Sequence, residues 1–365
     1  MKYYIIAGEA SGDLHGSNLM KAIQQKDPEA NFRVWGGDLM QNNGGILVKH
    51  YKDLAFMGFL EVLTNIKTIL KNITLCKKDI QEFQPDKIIF IDYPGFNLRI
   101  APFAKKLGIE TIYYISPQLW AWKENRVRIL QQFIDKTLVI LPFEKAFYEE
   151  KHNHSVSFVG HPLLDAIQDL PIGSTIATGK PIIALLPGSR KQEITKMLPL
   201  FLQLITDYKD YEFVIAKAPS ISIDFYQNII KNNTTQTPII YTDGTYPLLK
   251  QAHVALVTSG TATLETALFN IPQVVCYKGS NISYQIAKRL IKNIKYISLV
   301  NLIMDKMVVK ELIQNDFTLP NLQLELNTIL QQNNFLKIKE EYTLLREKLG
   351  EVGASERAAT IIVEK

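Results

Sequence analysis

The chain has 365 residues, 47% of them hydrophobic and 21% charged, which is enough for two ordinary domains, each with its own core. A formal net charge of +5 is too mild to announce nucleic acid, but it suits a phosphorylated ligand or an anionic membrane surface. Cys76 and Cys276 lie far apart and make neither a disulfide framework nor a metal-type CxxC pair, so a cytoplasmic setting is expected; no apolar run approaches the ~18 to 20 residues that span a bilayer, so any membrane contact is expected to be peripheral.

Short apolar runs alternate with longer helical patterns, the signature of parallel sheets built from βαβ units. The first half places strands at 3–7, 32–35, 87–91, 111–115, 137–141 and 156–159; the second restarts at 181–186 and continues at 212–216, 238–241, 253–257 and 273–277. After about residue 280 the pattern is nearly all helical, ending in the charged run "KIKEEYTLLREKL". Pro, Gly, Ser and Thr crowd residues 160–181, which puts the boundary there. The expected domains are 1–165 and 175–344, with a terminal helix at about 345–365 packing back on the first. The fold class is α/β: two Rossmann-like domains facing across a cleft, because open parallel sheets bind ligands beyond the carboxyl ends of their strands.

The first motif is "YYIIAGEASGDLHG" (3–16), a strand feeding a helix through glycines 8, 12 and 16. Its spacing is not the G-x-G-x-x-G of a dinucleotide turn, and Glu9 and Asp13 would repel a phosphate. The turn either faces sugar hydroxyls or is a tight connection with Asp13 as a helix cap. In "FMGFLEVLTNIKTILKNITLCKK" (56–78), Phe59, Leu63, Ile66, Leu70 and Ile73 share a helical face widened by Val62 and Ile69, with Lys67, Lys71 and Lys78 along its flank. That face either packs on a sheet or docks on lipid. "DKIIFIDYPGFN" (86–97) ends an apolar strand in Asp92, which is either a carboxylate placed to take a proton from an alcohol or a turn-initiating residue. "SPQLWAWKENR" (116–126) offers Trp120 and Trp122 as an apolar wall beside Gln118 and Ser116, or as packing.

In the second half, "GSTIATGKP" (173–181) has the wrong spacing for a P-loop and reads as linker. "ALLPGSRKQEI" (184–194) ends a strand in Pro-Gly-Ser and then offers Arg190 and Lys191, which form either an anion site or a solvated helix start. "ALVTSGTATLETALFNIPQVV" (255–275) brings Ser259, Gly260, Thr261, Thr263 and Glu265 to the start of a helix. Hydroxyls and amides there suit a pyrophosphate, and Glu265 suits the hydroxyls of a ribose. No clustered Cys and His, H-E-x-x-H or D-x-D pattern is present, so a site without metal or cofactor is the simpler expectation. Nucleic-acid binding has no basic, aromatic-interleaved stripe to support it.

Taken together, "GEASGD", "IDYPGFN", "SPQLWAW", "LPFEKAFY", "FVGHPLLD", "LLPGSR" and "SGTATLE" occur in the order and approximate spacing of lipid A disaccharide synthases, and the chain resembles that family over essentially its whole length. The resemblance implies an inverting glycosyltransferase of the two-Rossmann-domain (glycosyltransferase B) type. It joins UDP-2,3-diacylglucosamine to 2,3-diacylglucosamine 1-phosphate (lipid X) at the inner-membrane surface, giving a β-1,6-linked disaccharide phosphate and UDP. Carried over, the base falls on Asp92, the donor-phosphate arginine on Arg190, the nucleotide turn on Ser259, Gly260, Thr261 and Glu265, and a donor-linked asparagine on Asn301. With UDP held by the second domain, Glu9, Ser11 and Asp13 are left for an acceptor or sugar pocket together with Gln118 and Trp120. Many family members carry a second aspartate where this chain has Gly95, so the burden on Asp92 rises. UDP-N-acetylglucosamine 2-epimerases and the peptidoglycan glycosyltransferase share the architecture, and a non-catalytic UDP-sugar-binding protein is the alternative of another class. A homodimer is left open.

Overall fold

The computed structural model describes residues 1–54, 66–121, 123–168, 173–279 and 295–364, and the chain divides into two compact units, Met1–Gln168 with Leu349–Lys365, and Asp169–Lys348.

The first unit holds a seven-stranded parallel sheet in the order β3-β2-β1-β4-β5-β6-β7. The strands are β1 (Lys2–Ala7), β2 (Asn31–Gly36), β3 (Ile46–His50), β4 (Lys87–Ile91), β5 (Glu110–Tyr114), β6 (Lys136–Val139) and β7 (Ser157–Phe158). Every residue of β4, "KIIFI", is buried, as expected for a parallel strand covered on both faces. The order reverses between β1 and β4, which pair in register from Tyr3↔Lys87 to Ala7↔Ile91. Connections leave such a pair toward opposite faces and open a crevice beyond the strand ends. The sheet is fastened beneath by a polar chain: Trp35 Nε1 donates to Tyr4 Oη at 2.7 Å, Tyr4 donates to Asp79 at 2.7 Å, and Arg33 closes on the same carboxylate.

The second unit repeats the plan with β8 (Ile182–Leu186), β9 (Glu212–Ala216), β10 (Ile239–Tyr241), β11 (Ala252–Thr258), β12 (Gln273–Tyr277) and β13 (Glu311–Ile313). Its parallel order is β10-β9-β8-β11-β12-β13, so the reversal lies between β8 and β11, paired through Val257↔Leu186.

Two strands escape the sequence reading. β3 is an edge strand with no fully buried residue, so its run is not set apart as a buried strand, and β13 has only three residues. β13 is the one strand among the described residues of the nearly all-helical stretch after about 280, and it pairs with β12 through Cys276↔Leu312. β6 stops at Val139 rather than 141, because the N–H groups of Ile140 and Leu141 turn to the Glu144 carboxylate at 3.1 and 2.9 Å. Of the amphipathic run 56–78, residues 56–65 lie outside the described residues. In the helix Ile66–Phe83 the buried line is Asn72, Cys76, Asp79 and Ile80 with Ile73 packed alongside, whereas Leu70 is 58% exposed and Leu75 43%.

The helix Ala354–Val363 packs on the helix Ala10–Lys26 of the first unit. Asp165 accepts from the N–H groups of Gly353, Ala354 and Ser355 at 2.7, 3.2 and 2.8 Å, capping its start. At its other end buried Lys87 donates to the carbonyl of Ile362 at 2.6 Å while ion-paired to Glu110 at 2.9 Å. Beside the Asp165 cap lie His15 and His161, both buried. Burial pushes His15 down to about 4, with Asp165 acting the other way, and burial plus the neighbouring His15 pushes His161 down to about 3. The folded state therefore holds both neutral, while the unfolded chain protonates them near the ordinary 6.5. Below that pH the unfolded state binds more protons, so stability falls as pH drops from there toward 4 and 3. Chemical denaturation across that range should show His15→Asn with a shallower acid loss than the unsubstituted chain; parallel curves would remove His15 from the account.

Candidate active site

Because Ala7 and Ile91 are register partners, the turns after β1 and β4 lie side by side, bringing Gly8 and Glu9 next to Asp92 and Tyr93. A Cβ on Gly8 would collide with the Tyr93 ring, so glycine there serves close packing rather than a phosphate. Asp92 and Tyr93 both have left-handed backbones, φ +42° and +46°, as does Ile115 at the end of neighbouring β5, φ +61°. Such conformations cost roughly 1–3 kcal/mol each for non-glycine residues and cluster at functional sites. The Asp92 carbonyl is held by Asn97 Nδ2 at 2.7 Å and by the Tyr113 hydroxyl at 2.6 Å, while the Asp92 N–H donates to the carbonyl of Tyr114 at 3.3 Å. The backbone is pinned and the carboxylate projects outward.

That side chain is exposed. Hydration lost to the surrounding protein, and the charge of Glu9, nevertheless push its pKa up to about 7, against the Tyr93 N–H, which pulls it down. The two observations are in tension: water still reaching the carboxylate softens the first effect, so the upward direction is what the chemistry uses. A Cβ at Gly95 would meet nothing within 4 Å; packing does not forbid a side chain there, and the turn simply carries one carboxylate.

The other acidic residue of the opening turn is used differently. Asp13 is 3% exposed, with Oδ1 accepting from the N–H groups of Gly37 and Met40 at 2.8 and 3.0 Å and Oδ2 from Leu39 at 3.1 Å. It caps the short helix Asp38–Asn42, so the expectation that it faces a sugar pocket is corrected: backbone donors occupy both of its oxygens. Ser11 is half-buried in the first turn of the helix Ala10–Lys26.

After β5, Gln118 is exposed and Trp120 half-buried; Trp122 lies outside the described residues. Trp120 donates to Glu144 Oε1 at 3.3 Å and meets the edge of Phe143 at 4.9 Å. Ser116 is packing, bonded to the Tyr148 hydroxyl at 2.6 Å. Glu144 is a residue the sequence reading did not single out. Burial pushes it up to about 7 against its bonds from Leu141, Ile140 and Trp120, and the charge of Asp92 adds to the rise. In sequence it resembles any first-turn helix acid, and nothing in the string announces its tie to Trp120.

In the second unit the register Val257↔Leu186 sets Pro187–Arg190 beside Ser259–Thr261. Gly188 has φ +111°, and a Cβ there would approach Glu193 Oε2 to 2.6 Å. Glu193 accepts from the N–H groups of Ser189 and Arg190 at 3.0 and 3.3 Å and from the Arg190 guanidinium at 2.8 Å, holding the half-exposed arginine over the start of the helix Lys191–Gln203. Thr261 is exposed at the start of the helix Thr261–Leu268. Thr263 instead is buried, bonded to the Gly260 carbonyl at 2.8 Å. Glu265 receives the Tyr246 hydroxyl at 3.0 Å, and burial raises its pKa.

Asn301 is fully buried and fully used: Nδ2 donates to the Val309 carbonyl at 2.8 Å and to Glu311 at 2.9 Å, and Oδ1 accepts from the N–H groups of Val308 and Val309 at 2.8 and 3.0 Å. The expectation of a direct donor contact is corrected. Asn301 shapes the segment 297–311, whose Ile297 carbonyl accepts from Ser259 Oγ at 3.4 Å.

Comparison with known proteins adds independent findings. The lipid-A-disaccharide synthetase family model matches residues 3–364. The lipid-A-disaccharide synthase of Syntrophus aciditrophicus is 40% identical over 98% of this chain and 96% of its own, and that of Coxiella burnetii 34% identical over the same shares. Among solved structures, a Staphylococcus aureus MnaA–UDP complex superposes with TM-score 0.69 at 14% identity, covering 99% of this chain and 95% of that one. Acinetobacter baumannii MurG gives 0.59 at 13%, covering 99% of each. At such identities these two speak for the fold alone.

The tie between Glu9 and Asp92 is directly measurable. A carbon-13 titration of the Asp92 carboxyl should find a midpoint well above the ordinary aspartate range, and Glu9→Gln should lower it by removing a repelling charge. An unmoved midpoint would separate the two carboxylates.

Proposed function

The chain belongs to the lipid-A-disaccharide synthase family of glycosyltransferases, and from that premise we propose that Asp92 is the general base and that the turns at Arg190 and Ser259 hold the sugar nucleotide. The observation that carries this reading is the Asp92 turn: an exposed carboxylate on a strained, doubly held backbone at the strand-order reversal, with its pKa raised toward neutrality. A base titrating near the working pH combines a useful ionised fraction with real proton affinity.

The donor is UDP-2,3-diacylglucosamine and the acceptor 2,3-diacylglucosamine 1-phosphate. Asp92 takes the proton of the acceptor 6-hydroxyl, whose oxygen attacks the donor anomeric carbon from the face opposite UDP. The carbon–oxygen bond to UDP breaks, UDP leaves with the electron pair, and an α-linked donor gives a β-1,6-linked product. Negative charge growing on the leaving diphosphate is met by Arg190 and by the start of the helix Thr261–Leu268. Glu265, held by Tyr246, accepts from the ribose. Trp120, oriented by Glu144, walls the acceptor sugar, and Gln118, Ser11 and Glu9 are its polar neighbours.

No helix among the described residues is long and apolar enough to cross a membrane. Exposed Leu70 and Leu75 share the helix Ile66–Phe83 with exposed Lys67, Lys71 and Lys78, a combination suited to resting on an anionic leaflet. We propose peripheral docking on the inner-membrane surface through that helix.

Asp92→Asn should cut turnover about 10² to 10⁴-fold with UDP affinity little changed, while Glu265→Gln should weaken calorimetric UDP binding by roughly 1.5–3 kcal/mol. Turnover within a few fold for the first would move the base elsewhere; unchanged affinity for the second would end the ribose assignment. For the membrane, Leu70→Glu with Leu75→Glu should abolish sedimentation with phosphatidylglycerol vesicles at an unchanged melting temperature, and undiminished sedimentation would refute that face.

A further inference from the structure

The segment that leaves β5 starts beside Asp92 and is fastened to a single helix. Its first residue, Ile115, has the left-handed backbone, and the carbonyl of Tyr114 just before it accepts from the Asp92 N–H at 3.3 Å. The helix Pro142–His152 then meets the segment through three side chains. Tyr148 Oη donates to the Pro117 carbonyl at 3.1 Å and shares a hydrogen bond with Ser116 Oγ at 2.6 Å. One turn earlier on the helix, Glu144 Oε1 accepts from Trp120 Nε1 at 3.3 Å, and the Phe143 ring stands edge-on to the indole, with 4.9 Å between centroids and 89° between planes.

These contacts are of two kinds. Ser116 and Tyr148 are buried and hold the backbone of the segment. Trp120 and Phe143 are both half-buried, two large rings at right angles with part of their surface left open. Glu144 itself is 1% exposed, and its two oxygens serve different turns: Oε2 accepts from the N–H groups of Ile140 and Leu141 at 3.1 and 2.9 Å, and Oε1 from the indole. A capping hydroxyl would satisfy the backbone N–H groups without burying a charge. With one oxygen for the turn after β6 and one for the indole, the carboxylate joins two turns that a single hydroxyl would not span. An indole rotates about two side-chain bonds, and a fixed acceptor for its N–H together with the perpendicular Phe143 ring removes both freedoms.

A pyranose ring presents C–H bonds on its faces and hydroxyls at its rim, so an aromatic wall takes a face and leaves the rim to polar groups. We propose that Glu144 is a positioning residue for the acceptor: by fixing the plane of the Trp120 indole, it makes Trp120 and Phe143 an aromatic corner that receives the face of the acceptor sugar and turns its 6-hydroxyl toward Asp92. The inference rests on the placing of Trp120 at the acceptor given above, and adds to it Phe143 and the group that keeps the indole from turning away. Glu144 acts through Trp120 and does not touch the sugar. The geometry required is narrow, because an indole that tilts shifts the hydroxyl relative to the base, and proton transfer with attack needs both in place at once.

Glu144→Gln keeps the size but leaves one accepting oxygen, and the two backbone N–H groups outweigh the one indole N–H for it, so the amide NH2 is turned on Trp120. The acceptor kcat/KM should fall roughly 5- to 50-fold with the donor KM unmoved. The indole N–H signal of Trp120 in a proton–nitrogen-15 spectrum, identified by its loss in Trp120→Phe, should shift in Glu144→Gln, and in the unsubstituted chain it should shift when glucosamine 1-phosphate is added. Trp120→Phe should lower the acceptor kcat/KM by itself, and Glu144→Gln should add nothing in that background, because its effect travels through the indole. If Glu144→Gln lowers the melting temperature, Phe143→Leu, at a half-buried position, tests the same corner: acceptor kcat/KM reduced, donor KM unmoved. Losses that add in the double variant, or unchanged acceptor kinetics in Glu144→Gln or Phe143→Leu beside a clear loss in Trp120→Phe, would overturn the positioning role while leaving Trp120 at the acceptor. Unchanged acceptor kinetics in Trp120→Phe, with an indole signal that glucosamine 1-phosphate does not move, would withdraw Trp120 from the acceptor and the inference with it.

Discussion

The Asp92 carbonyl accepts hydrogen bonds from Asn97 and Tyr113, and those two bonds fix a stretch of chain that would otherwise relax out of its left-handed conformation. Tyr113 belongs to β5 and Asn97 to the first turns of the helix Pro94–Lys106, so the turn is tied at once to the strand beside it and to the helix it feeds. Gly8 then lets the Tyr93 ring close against β1. With the backbone settled by its neighbours, the carboxylate is left exposed, which is the pre-organisation that the proposed proton transfer from an alcohol requires.

The two units use one device with opposite chemistry. Each brings two strand-to-helix turns together where the strand order reverses, at β1/β4 and at β8/β11. In the first unit those turns carry Glu9 and Asp92, and mutual repulsion helps keep a carboxylate basic near neutrality. In the second they carry Arg190, Ser259 and Thr261 at helix starts, a setting for a diphosphate. A glycine turn lined with acid fits the proposed division, in which the first unit activates a hydroxyl and the second takes the phosphates. Asp13, acidic in the same turn, serves the fold instead, because the Asp38–Asn42 helix starts within reach of both its oxygens.

The same separation of roles recurs in residues that hold other polar side chains in place. Glu144 holds the Trp120 indole and the turn after β6; Glu193 holds Arg190; Tyr246 holds Glu265; Asn301 and Glu311 fold the segment that reaches Ser259. Each fixes a group that a flexible side chain would leave in many rotamers, and removing that freedom before substrate arrives lowers the entropy lost on binding.

The sequence by itself determined the architecture. Buried parallel strands such as "KIIFI" and "IIALL" must be apolar throughout, and the turns that end them must spend glycine, proline and polar residues, so strand positions, two parallel sheets and the motif at each strand end are all local properties of the string. The same locality made the family resemblance readable. Only the tertiary structure decided what each polar residue does. Glu9 and Asp13 are four residues apart and of one chemistry, yet one lies beside Asp92 and the other caps a helix. Asn301 looks like a ligand in the string and proves to be a fully bonded brace. A hydrogen-bonding group takes the partner that folding brings within reach, and that partner is set by strand order and helix placement, neither of which is written at any single position.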